Sequence, residues 1–248
     1  MGILSLAGLD LLWRESLGDP RICIAVLDGP VDLSHTCFAT TQFNEITTVA
    51  SDSTNQVLPS QHGTHVASVI FGKHSGPIRG IAPSCRGLSI PIFSQITTGP
   101  TSLSHCSQLD LARAIRIAVQ QGAQVINISA GVLTASGEAE PLLADTVRLC
   151  AANNVLIVAA AGNDGCDCLH IPAALSSVLV VGAMNSQGLP MDTSNWSERY
   201  QTQGILAPGE NILGALPGNE VALRSGTSFA TAIVSGIVGL LLSIELKQ

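Results

Sequence analysis

Basic side chains are scarce in this chain, with 11 Lys and Arg among 248 residues against 18 Asp and Glu. A formal charge of −7 leaves no cationic footprint for a phosphate backbone, which excludes nucleic acid as a partner. Charge of either sign is sparse: 12% of residues are charged and 46% are apolar, the composition of a large, well-buried core. No Pro- or Ser-rich linker, repeat or low-complexity tract interrupts residues 1–248, so one domain is expected. The opening Met1-Gly2-Ile3-Leu4-Ser5-Leu6-Ala7 has neither a charged n-region nor a long apolar h-region, and it fails the myristoylation pattern. The cytoplasm is therefore the default location. Paired CxxC spacing is also missing, although there are seven cysteines. Cys23 lies in an apolar run and reads as a buried thiol, whereas Cys166-Asp167-Cys168 leaves metal binding, disulfides to distant partners and plain loop thiols open.

What is present begins with an uncharged stretch, residues 225–244, long enough to cross a membrane. It opens with Gly, Thr and Ser in a motif whose serine must meet water, and Gly236 and Gly239 suit close packing. The central buried helix of a large domain is the better reading, with no membrane partner. Elsewhere, short apolar runs at residues 22–27, 88–93, 125–128, 155–160 and 178–181 read as strands covered on both faces. Between them, residues 109–121 place Leu111, Ile115, Ala118 and Val119 on one helical face, with Gly122 as the stop. Pro141 opens a second helix running to about Ala152. The pattern is α/β, a mainly parallel central sheet with helices on both faces in three layers. Such sheets carry their sites at the carboxyl ends of strands, where Asp28 and Asn127 stand.

Two motifs carry the chemistry. Ser225-Gly226-Thr227-Ser228-Phe229-Ala230-Thr231-Ala232 puts Ser228 at the start of the buried helix, where free amides favour an anion. His62-Gly63-Thr64-His65-Val66-Ala67 supplies two imidazoles. His62 is the candidate base that takes the serine proton, and His65, among apolar helical residues, reads as structural. Asp28 closes an apolar strand and is the candidate carboxylate that orients the base, with Asp32 and His35 as second choices. Asn163 follows another buried strand and could donate to a developing oxyanion.

These motifs resemble those of the subtilisin-like serine proteases, in which the triad also runs Asp, His, Ser along the chain. Ile24-Ala25-Val26-Leu27-Asp28-Gly29-Pro30-Val31-Asp32 is similar to the aspartate motif, residues 62–67 to the histidine motif with the first histidine catalytic, Ala161-Gly162-Asn163 to the oxyanion motif, and residues 225–231 to the nucleophile motif. Ala207-Pro208-Gly209 is a further landmark. The resemblance implies a peptide substrate bound along Asn127-Ile128-Ser129-Ala130-Gly131 as an added strand, so Ser129, Ala130, Gly131, Ala161 and Gly162 are candidate binding residues. It implies that no cofactor is needed. Ala130 stands where leucine is common, implying a roomier pocket wall, and the short 164–170 loop should reshape the primary pocket. Phe229 and Ala232 replace the usual Met and Pro. Gly72-Lys73-His74-Ser75-Gly76-Pro77 carries no carboxylate, so the calcium loop of many secreted relatives is missing, and the residues ahead of Asp28 leave no room for a pro-domain.

The lack of room for a pro-domain, the cytoplasmic default and the opening Gly18-Asp19-Pro20-Arg21-Ile22-Cys23, leading into the aspartate motif through Asp32, together resemble a narrower group, the proteases that mature cyanobactins, ribosomally made cyclic peptides of the patellamide type. One kind cuts the leader from the precursor's core. The other cuts the far end and joins the ends, shielding its acyl-enzyme with a helical insertion between the aspartate and histidine motifs. Residues 29–61 are too short and too aperiodic for that insertion, so the leader-cutting kind is expected. The alternatives are a macrocyclase of the same pathway, a general intracellular protease and a catalytically silent peptide-binding homologue.

Overall fold

The computed structural model describes residues 6–48, 57–93 and 106–248. In chain order its elements are α1 (Leu9–Glu15), β1 (Cys23–Asp28), β2 (Phe43–Glu45), α2 (Val57–Phe71), β3 (Arg86–Pro91), α3 (Gln108–Gln120), β4 (Val125–Ile128), β5 (Val132–Thr134), α4 (Pro141–Ala152), β6 (Leu156–Ala160), β7 (Leu169–Ile171), β8 (Val178–Met184), β9 (Gly204–Pro208), β10 (Ile212–Leu216), β11 (Glu220–Arg224) and α5 (Thr227–Glu245). Seven strands form one sheet in the order β2-β3-β1-β4-β6-β8-β9, and every pairing in it is parallel. The pairs β10–β11 and β5–β7 are separate antiparallel ribbons.

All five strands read from apolar runs are there, with no end moved by more than three residues and β4 matching at both ends. β1 shows why the runs are continuous rather than alternating. Ile24 and Val26 pack with Val66, Val69 and Ile70 of α2 and Ile233 and Leu240 of α5. Cys23, Ala25 and Leu27 face the other way, into a second core with Leu111 and Ile115 of α3 and Leu143 and Val147 of α4. Both faces of the strand are therefore dry, as a parallel sheet between helices requires. Each such aliphatic side chain contributes about 1.5–3 kcal/mol relative to exposure.

The uncharged C-terminal stretch is α5, and 72% of its most apolar window is buried inside the fold. Its glycines explain how close it lies: a Cβ on Gly236 would sit 2.5 Å from the Cβ of Ile81, and one on Gly239 2.6 Å from Cδ1 of Ile24. The reading from apolar runs did not include the helix α1 or the short strands β2, β5, β7, β9, β10 and β11. Of these, β9 and β10 are themselves apolar, Gly-Ile-Leu-Ala-Pro and Ile-Leu-Gly-Ala-Leu, but each carries glycine or proline, which weakens a strand signal.

His65 is structural, as its neighbours suggested. Its ring is fully buried, with its centroid 4.5 Å from that of Phe229, and its Nε2–H donates to the Ala222 carbonyl at 3.2 Å. Nδ1 has no partner among the described residues. Burial pushes its pKa down from 6.5 to about 4. The unfolded chain thus binds a proton that the folded chain refuses, so stability is lost as pH falls from about 6.5 towards 4. A shift of that size corresponds to about 3 kcal/mol. Replacing His65 with Gln, which can still donate to Ala222, should remove that share of the acid sensitivity. Urea unfolding of both proteins at pH 7 and pH 4 tests it; equal losses would show that His65 is not held neutral.

Candidate active site

The site lies at the carboxyl edge of the sheet, where the strand order turns back. β1 has β3 on one side and β4 on the other, which opens a crevice at its end. Leu27 is level with Ile128, and Ile128 with Ala159, so β1, β4 and β6 end along one line. Asp28, Ser129 and Asn163 leave the sheet along that line.

Asp28 is completely buried as the last residue of β1. Its Oδ1 accepts from His62 Nδ1–H at 2.7 Å and from the Gly29 N–H at 2.6 Å. Oδ2 has no partner among the described residues. A buried carboxylate is costly without a charged or hydrogen-bonded partner, so the imidazole stabilises it as much as it orients the imidazole. His62 reaches it because α2 packs hard against the turn after β1. A Cβ on Gly63 would collide with the Gly29 carbonyl. Burial opposes charge on His62, but the Asp28 carboxylate, through its charge and its hydrogen bond, outweighs burial and the repulsion from Arg224, so the pKa is raised above 6.5. The second choices are engaged elsewhere. Asp32 accepts from the Ser34 and Gly218 N–H groups, and His35 binds the Glu220 carbonyl and the Cys37 N–H.

Ser228 is the second residue of α5, 7% exposed. Its Oγ donates to the Ser129 carbonyl at 3.1 Å, and Ser129 Oγ donates back to the Ser228 carbonyl at 3.0 Å. Among the described residues no hydrogen bond joins Ser228 to His62; hydrogen bonds of this kind are commonly loose without substrate. The next residue of α5 does reach the imidazole: the ring centroids of Phe229 and His62 lie 5.7 Å apart. Gly226 enters the helix at φ 145°, which an L side chain rarely adopts. There the exposed Asn163 turns its Oδ1 inward, accepting from the Thr227 N–H at 2.9 Å and the Thr227 hydroxyl at 3.1 Å. Two donors on Oδ1 fix the amide, so its NH₂ points outward. The Ser228 N–H, an orphan of the first helical turn, has no partner among the described residues.

Ser129, Ala130, Gly131, Gly162, Asn163 and Ser228 line one cavity of about 190 Å³. Ala161 does not join them. Strand alternation turns it over, into the core beside α4 and towards a separate hollow with Trp196 and Tyr200. Ala160 and Thr227 line it too, and the loop beyond the motifs adds Asp164 and His170, hydrogen-bonded to each other at 2.7 Å. Buried Asn195 holds Asp164 from both sides, accepting from its N–H at 2.8 Å and donating to its Oδ2 at 2.9 Å. Hydrogen bonding from Asn195, against slight burial, and then His170 keep the Asp164 carboxyl below its usual range. Sequence reasoning located this loop without the residues that matter, because Asn195 comes from far along the chain and no spacing announces it. Cys166 and Cys168 are joined to each other, so they are neither metal-binding thiolates nor partners of distant cysteines.

Known proteins resemble this chain along nearly its whole length. The subtilase family model matches residues 19–248. The thermophilic serine proteinase of Bacillus sp. (strain AK1) is 31% identical over 246 residues, covering 96% of this chain. The chain spans 58% of that relative's length. Among solved structures, the prenylagaramide maturation protease PagA is 54% identical with a TM-score of 0.89, over 98% of this chain and 82% of PagA. The PatG macrocyclase in complex with peptide is 32% identical with a TM-score of 0.87, over 98% of this chain and 82% of PatG. The chain belongs to the subtilase family of serine peptidases.

Proposed function

We propose that residues 1–248 form one peptidase domain, a serine endopeptidase that cuts the leader from the core of a ribosomally made precursor peptide. The observation that carries the chemical part is the buried Asp28 carboxylate on His62 Nδ1, with Ser228 at the head of α5 beside it. With Nδ1–H held by Asp28, Nε2 is the basic nitrogen. Rotation of Ser228 away from the Ser129 carbonyl brings Oγ to Nε2, which takes the proton as Oγ attacks the peptide carbonyl. The outward NH₂ of Asn163 and the free Ser228 N–H then receive the oxyanion. The imidazolium returns its proton to the leaving amine, and the acyl-enzyme is hydrolysed by water with His62 again as base. Every group in this cycle belongs to the chain, so no cofactor is invoked.

The finer reading rests on the higher identity to a maturation protease than to a macrocyclase, 54% against 32%. It is supported by the 29–48 segment, whose only described helix is the single 3₁₀ turn Thr36–Phe38. A joining enzyme needs cover over its acyl-enzyme, and those residues supply none. Five of the seven cysteines are free, as suits a reducing compartment, and we assign the protein to the cytoplasm. Its partner is the precursor peptide.

Three outcomes test this. A fluorophosphonate should label the protein at Ser228. Ser228→Ala should abolish labelling and His62→Ala should slow it about 10²–10⁴-fold; undiminished labelling of Ser228→Ala would sink the nucleophile, and an unlabelled parent would make this a silent peptide binder. In the second test, kcat/KM should rise with pH through an ionisation above 6.5, because His62 works as the neutral base and its pKa is raised. Asp28→Asn should move that limb to lower pH as well as lowering activity; an unmoved limb would show that another group titrates. In the third, a linear precursor should yield leader and free core by mass spectrometry. A product lighter than the linear core by one water would instead mark a macrocyclase.

A further inference from the structure

The loop from Asn163 to His170 does more than connect β6 to β7. His170 lies on β7, level with Leu133 of β5, and β5 continues directly from the pocket wall Ser129-Ala130-Gly131. Wall and histidine are thus one ribbon. The imidazole reaches both walls of the cavity beside Ser228. A Cβ on Gly131 would sit 2.9 Å from its Nδ1, and a Cβ on Gly162 would sit 2.9 Å from both its Cε1 and its Nε2. Gly131 and Gly162 belong to opposite walls, the extensions of β4 and β6, so the ring spans the space between them.

The ring is also held. Its Nε2–H donates to Asp164 Oδ2 at 2.7 Å, and Asn195 clamps that carboxylate. The Asn195 N–H donates to the Gly162 carbonyl at 3.0 Å, tying the clamp to the second wall. The His170 N–H donates to the Tyr200 hydroxyl at 2.9 Å. The side chain is 12% exposed. Swinging it aside would break the charge-assisted bond to Asp164 and disturb both walls at once.

We propose that His170 is a specificity-determining residue: its imidazole, held by Asp164 and Asn195, blocks the primary pocket between Gly131 and Gly162 and excludes bulky apolar side chains on the acyl side of the scissile bond. This rests on the reading above, in which the cavity beside Ser228 receives that side chain. Steric rejection of this kind discriminates by what cannot fit rather than by what is bound, and it needs a plug that cannot yield. Asp164 and Asn195 are positioning residues.

The experiment uses peptides that differ only at that position, carrying alanine, leucine or phenylalanine, with active enzyme counted by fluorophosphonate consumption. The parent should favour alanine over phenylalanine in kcat/KM by about a hundredfold or more, and His170→Ala should narrow that ratio at least tenfold. Equal cleavage after phenylalanine by the parent, or an unchanged ratio in the variant, would overturn the proposal. His170→Ser serves if His170→Ala does not fold, and the parent's own profile decides if neither does. Because active sites are counted separately, an unlabelled parent would refute the serine-peptidase reading, whereas a labelled enzyme with the wrong profile refutes only the role of His170.

Discussion

The hydrogen bond between Asp28 and His62 organises this molecule. A carboxylate at the end of a strand dry on both faces has no water to turn to, and one of its oxygens is left without a partner among the described residues. The imidazole must come to it, and the helix that brings the imidazole must press against the turn after β1. That is why residue 63 is glycine and why α2 packs on the same face of the sheet as α5. The desolvation that makes the pair costly also strengthens it electrostatically, since a low local dielectric magnifies both terms. The pair is a constraint on packing before it is a piece of chemistry.

The remainder of the cleft follows from strand register. Parallel strands that end level with one another bring Asp28 and Ser129 out side by side, and Asn163 reaches the same crevice three residues beyond β6, through a chain reversal at the positive-φ Gly162. α5 then supplies Ser228 from above, and of its first amides the Ser228 N–H alone has no partner among the described residues. Asn163 joins the two systems, because its carbonyl oxygen caps Thr227 while its NH₂ faces the cleft. One side chain thus fixes the helix entrance and presents a donor, and the entrance itself depends on a left-handed glycine at 226.

Much of this was legible in the sequence, for local reasons. Strands buried on both faces are continuous apolar runs, and the residues at their ends stand out by being polar. The motif around Ser228 was contiguous, and so was that around His62. What could not be read was brought together from a distance. Asn195 holds Asp164 across 31 positions, and Tyr200 supports His170 across 30. β11 is half exposed and reads Glu-Val-Ala-Leu-Arg, which no period separates from a loop. Ala161 was taken with its neighbours as a binding residue, yet a two-residue period turns it to the core. Cys166 and Cys168, for which metal binding, bonds to distant cysteines and plain loop thiols stood open, are instead bonded to each other, a pairing across one residue that no spacing rule announces.

Ser228 stands on the helix that closes the core, and Asp28 stands on the strand at the centre of that core. α5 seats Gly239 on Ile24 of β1 and Gly236 on Ile81, in the connection between α2 and β3, so the helix that carries Ser228 is packed directly on the strand that ends in Asp28. The contacts that bury α5 are thus the same contacts that hold Ser228 over the end of β1, and any displacement of that helix within the core would carry Ser228 away from Asp28 and His62.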